Sequence, residues 1–172
     1  MQLKIRLYGD PCLTAKSKPV KEVGPAERML IASMFETMHA QKGVGLAAPQ
    51  VGINEQIFVV DTGKDVLAII NLKIFKTFGS DEGEEGCLSI PNLQVLVTRA
   101  KELDVEFIDE NNHAVRAKIS GLLAKVFQHE YDHLQGKLII DYLSSQDRKE
   151  ALKDIKDGVY IGKENARESS RS

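Results

Sequence analysis

The sequence predicts an α+β fold, and three observations carry that prediction. A helical apolar period follows Pro25, short strand-like runs fill the middle, and a second, broader helical period spans the region of His129. Helices and strands fall in blocks instead of alternating, which argues against a parallel sheet with helices on both faces. A chain of 172 residues suits one domain.

Taken in order, Asp10-Pro11 marks a turn or the start of a short helix, and Lys16 to Gly24 reads as a polar loop. Pro25 suits the first position of a helix, and Glu27 lies near the positive end of its dipole. Ile31, Phe35 and Met38 share one face, so a helix is expected from about Pro25 to Gln41, with Gly43 as its cap. Gln56 to Val60 and Val66 to Ile70 are continuous apolar runs, as in buried strands. Gly79 to Glu85 reads as a polar, acidic loop. Leu103, Val105 and Phe107 alternate with acids, and Val115, Ala117 and Ile119 alternate with polar residues. Asp109 to Asn112 forms the hairpin turn between them. The period then changes. Leu122, Leu123, Val126, Phe127, Tyr131 and Leu134 recur at three and four residues, and Gly136 stops the run. That broad apolar face predicts a central, buried helix. Ser144 or Ser145 is placed to cap a last helix through about Lys156, peripheral because its stripe of Ala151, Leu152 and Ile155 is thin.

Composition narrows the function. With 42% hydrophobic and 28% charged residues the chain is globular in character, and no apolar run is long enough for a membrane-spanning helix. The first residues lack the apolar stretch of a secretory signal, so the expected location is cytoplasmic. A net charge of −2 gives no electrostatic case for nucleic acid or an anionic membrane. Two cysteines, Cys12 and Cys87, are too few for a disulfide framework. One domain is expected over residues 1–162, and a disordered tail over 163–172.

His129-Glu130-Tyr131-Asp132-His133 is the most informative segment. Two histidines four apart project from one helical face and can grip one metal ion. Glu130 lies about 100° round the helix from His129 and can meet a water there without becoming a ligand. A catalytic site of this kind needs a third ligand and an open position. Cys87, in Glu85-Gly86-Cys87-Leu88-Ser89, is one candidate, and Glu150 is the other. The Glu150 alternative is a zinc metalloprotease. A non-catalytic metal-binding protein, with Glu130 as a solvated helix residue, is a further reading. A third segment, Gly43-Val44-Gly45-Leu46-Ala47-Ala48-Pro49-Gln50, allows close backbone approach and ends on an amide able to donate to an anion.

These three segments, in this order, resemble the peptide deformylase family, whose pattern is G-x-G-x-A-A-x-Q, E-G-C-x-S and H-E-x-x-D-H. The resemblance implies antiparallel sheets around the helix bearing the two histidines. It implies removal of the formyl group from N-formyl-methionyl nascent peptides. It gives Cys87, His129 and His133 as ligands of one divalent ion, usually ferrous iron, with zinc, nickel or cobalt as substitutes. Glu130 becomes the general base and acid, and Gln50 with the Leu88 backbone N–H the oxyanion hole. Val44, Gly45 and Gly86 pair with the substrate backbone, while Glu85, Leu122, Lys125 and Val126 join the substrate-binding surface. Arg99 becomes the partner of Glu85. The sequence departs from the family in two places: an arginine common soon after E-G-C-x-S is absent from the run Pro91-Asn92-Leu93-Gln94, and Lys125 replaces an apolar residue of some relatives. Some members contact the ribosome transiently, and the mixed charge of this C-terminal stretch gives no independent sign of it.

Overall fold

The structure, a computed structural model, describes residues 1–157. The expected domain boundary at 162 and the expected tail therefore lie outside the described residues.

Helix α1 (Pro25–Ala40) begins at proline, and the Glu27 carboxylate accepts from the Gly24 backbone N–H at 2.8 Å. Its end differs from expectation. The left-handed residue is Lys42 (φ 56°), and Gly43 donates to the Met38 carbonyl at 2.9 Å. Strands β1 (Gly45–Ala47), β2 (Ile57–Asp61) and β3 (Val66–Phe78) follow. Next come β4 (Asp81–Cys87), β5 (Ile90–Arg99), β6 (Glu102–Ile108) and β7 (Ala114–Ser120). Helix α2 (Gly121–Leu134) carries the two histidines, and α3 (Ser145–Lys156) is capped by the Ser144 hydroxyl, which accepts from the Asp147 N–H.

All named strand pairs are antiparallel. One sheet runs β1-β2-β3-β6-β7, and β4-β5 stand apart as a hairpin. This is the α+β arrangement with antiparallel sheets around a central helix that the sequence predicts. Two expectations need correction. The acidic segment 79–85 is mostly strand β4, not loop, and β3 runs eight residues beyond Ile70. Strand β5 had no place in the expectation, although Leu93, Val95 and Val97 are buried in strict alternation.

Helix α2 is central because its two faces do different work. Phe127 points into the sheet, edge-on to Phe58 (ring centroids 5.3 Å apart) and to Phe107 (6.0 Å). The other side faces β1 and β4. Helix α3 is peripheral as expected, yet Ala151 is buried in a satellite cluster with Val95 and Ile140.

Candidate active site

The cleft is built between three walls: the segment Val44–Gly45 entering β1, the β4-β5 hairpin, and the outward face of α2. It encloses about 610 Å³. Gly45 is required where β1 crosses α2. A Cβ there would stand 2.6 Å from Glu130 Oε1 and 2.9 Å from Val126 Cγ1. The glycine lets the carboxylate reach the strand.

Cys87 ends β4, and His129 and His133 sit one turn apart on α2 with ring centroids 5.1 Å apart. One ligand atom from each of the three lies within 4.8 Å of the others. Cys87 Sγ is 3.5 Å from His133 Nε2. His129 Nδ1 lies 2.9 Å from Glu85 Oε1, which leaves Nε2 free to serve as a ligand. Glu150 is exposed on α3 and lies outside this cluster, the one such trio among the described residues. The protease-type alternative built on it is thereby corrected.

The donor set fits a cation. Burial opposes a charge on His129, but the Cys87 sulfur and Glu85 outweigh it and raise the imidazole to about 10: these neighbours favour positive charge at this spot, which a bound metal ion would supply in place of the proton. Burial, reinforced by His129 and Arg99, pushes His133 well below its ordinary value, so it stands neutral with a lone pair to offer. Two of the buried side-chain atoms that find no hydrogen-bond partner, Glu130 Oε2 and His133 Nδ1, belong to this site. Glu130 is 3% exposed, and burial raises its carboxyl to about 7 against the opposing pull of His129.

Gln50 is held in one orientation. Its Oε1 accepts from the Ala47 N–H at 3.0 Å, which turns Nε2 toward Ser89 Oγ (3.2 Å) and Cys87 Sγ (3.6 Å). Leu88 follows Cys87 in the turn between β4 and β5 and lines the cleft, as do Gly86, Leu122, Lys125 and Val126. The sequence-predicted residues thus come together, with His133 buried behind the opening. The sequence reading did not identify Ser89, fully buried under Gln50, nor the extent of the charged support.

That support starts at Arg99, 5% exposed. It donates two hydrogen bonds to Glu85 (2.9 and 2.8 Å) and one to Asp132 Oδ2 (2.7 Å), which also accepts from Tyr142 Oη at 2.6 Å. Burial alone would raise Glu85, but Arg99 and His129 hold it at about 2. The folded chain therefore binds this proton less readily than the unfolded one. Glu85 contributes its full stability above its ordinary value of 4.5 and loses it as pH falls toward about 2. Glu85→Gln is expected to flatten the acid limb of the urea midpoint over that window, as fluorescence-monitored melts at stepped pH would read.

An α+β fold that gathers a sulfur, two imidazoles and a buried carboxylate into one cleft defines a metal-dependent hydrolase. The family model described as polypeptide deformylase matches residues 2–149, and the chain belongs to that family. It is 44% identical to the peptide deformylase of Treponema pallidum (strain Nichols) over 154 residues, 88% of this chain and 94% of that one. With that of Halothermothrix orenii it shares 48% over 141 residues, 81% and 92% of the two chains. Its fold superimposes on a peptide deformylase crystal structure from Legionella pneumophila with a TM-score of 0.88 and 36% identity, covering 97% of this chain and 99% of that one. A Synechococcus elongatus peptide deformylase in complex with actinonin gives 0.83 and 40%, covering 88% and 85%.

Proposed function

We propose that this cleft hydrolyses the N-formyl group of formyl-methionyl nascent chains and releases formate. The observation that carries the reading is the convergence of Glu130, the Gln50 amide and the Cys87-His129-His133 trio on one cleft beside a sheet edge. Cys87, His129 and His133 would hold a divalent ion, which when bound acidifies a water and polarises the formyl carbonyl. Glu130 accepts the proton of the attacking water and delivers it to the leaving amine. Gln50 Nε2 and the Leu88 backbone N–H donate to the oxyanion that develops on the formyl oxygen. Among the described residues β1 has one strand neighbour, β2, so its other edge is available to an extended peptide at Val44 and Gly45, with Gly86 opposite. Pairing through backbone makes recognition beyond the first residue tolerant of sequence.

Ferrous iron is the ion we assign, as the resemblance to the deformylase family implies; one thiolate and two imidazoles would also accept zinc, nickel or cobalt. A cytoplasmic location and a transient encounter with the ribosome belong to the same proposal, since the substrate is a chain still being made. Metal analysis of anaerobically purified protein, joined to a formyl-Met-Ala-Ser assay, tests the whole reading. An absence of formate release from metal-loaded protein would end it. Gln50→Ala is expected to retain metal but lose about 10²–10³ in kcat, the usual cost of one oxyanion donor. Normal kinetics in that variant would remove Gln50 from the role.

A further inference from the structure

Alternate residues of β4 face the same way, so Asp81, Gly83 and Glu85 form one row toward α2. Lys125 and His129, four apart, form the facing row on the helix. Two charged rungs join the rows. Glu85 meets His129 at 2.9 Å, and Asp81 Oδ2 meets Lys125 Nζ at 3.0 Å. Gly83 between them adds no side chain, and a Cβ there would stand 3.6 Å from Lys125 Nζ. The inner rung orients a ligand. The outer rung has no part in the chemistry, yet both its members line the cleft.

On the α2 side of the cleft the apolar lining is Val126, Leu122, which is 53% exposed, and the methylenes of Lys125, and the hairpin adds Leu88, Ile90, Leu93 and Val97. A formyl carbon at the trio puts the Cα of the first residue one bond beyond the amide nitrogen, within reach of the α2 side of that lining. We propose that Lys125 and Asp81 determine specificity: their ion pair is the end wall of the pocket for the first side chain, and it limits that side chain to about the length of methionine. This rests on the deformylase reading. The lysine stem packs along the substrate side chain while its head is held by the strand opposite. The side chains are 35% and 48% exposed, so the pair is screened by salt and the wall can be undone without mutation.

The test compares formyl-Met-Ala-Ser with formyl-ethionyl-Ala-Ser, one methylene longer, and with formyl-Phe-Ala-Ser, using the metal-loaded wild type, Lys125→Ala and Asp81→Ala. Both variants are expected to raise kcat/KM for the longer side chains relative to methionine by about two- to fivefold, the scale set by a partly exposed ion pair, mainly through KM. Wild type in about 1 M salt is expected to shift the same way. Unchanged ratios in both variants overturn the proposal. A shift in Lys125→Ala without one in Asp81→Ala also overturns it, because the wall would then be the stem and not the ion pair. Calorimetric binding of the product peptides Met-Ala-Ser and ethionyl-Ala-Ser gives the same comparison without turnover. A wild type that binds them with this selectivity but releases no formate would sink the deformylase reading and leave the pocket assignment standing.

Discussion

Glu130→Gln is expected to lower kcat by about 10²–10⁴-fold with the metal content unchanged. The carboxylate is enclosed between α2 and β1, with Oε1 against Gly45 and Oε2 without a partner. Burial holds its pKa at about 7, where one group can both take a proton and return it near neutrality. Glutamine matches the shape and keeps the contact with the strand, but it cannot carry the proton. Steady-state kinetics on formyl-Met-Ala-Ser, run beside metal analysis of the same preparation, separates the two effects. Substantial turnover in the variant would make Glu130 a packing residue.

Cys87→Ala is expected to lose both metal and activity. Removing an outer partner of a ligand typically costs about 10–100-fold in metal affinity, and removing the ligand itself should exceed that. The sulfur stands 3.5 Å from the neutral imidazole of His133, and no other cysteine or acid joins the trio among the described residues. Glu150→Gln should leave both quantities unchanged, because that residue is exposed on α3. Metal content after gel filtration against a competing chelator reads the difference. The same sulfur makes the ferrous form vulnerable: air should inactivate it by oxidising Cys87, while a nickel or zinc form persists.

Much of the site was legible because its parts are local in sequence. His129, Glu130 and His133 share one helical turn, and their spacing alone states their geometry. Gly45 was legible as a place of close approach, though nothing in the sequence says that the approaching group is Glu130. The hairpin was not legible. Asp81-Glu82-Gly83-Glu84-Glu85-Gly86 has little strand propensity, since acids facing Lys125 and His129 and glycines beside the cleft serve the site instead of the sheet. Pro91 and the left-handed Asn92 (φ 66°) break the start of β5 and mask the alternation that follows. Missing β4 also hid Asp81, whose partner is 44 residues away along the chain. Asp132 and Tyr142 were hidden for a different reason: their role appears only when Arg99 arrives from another element.

The pairing proposed for the edge of β1 sets a rule of timing. A terminus read by main-chain pairing has to be offered as a bare, extended ribbon, which a completed helix or a strand already joined to neighbours cannot do. Any protein whose first residues enter its own sheet closes itself to this chemistry once it folds, so the opportunity lasts only while the beginning of the polypeptide remains loose.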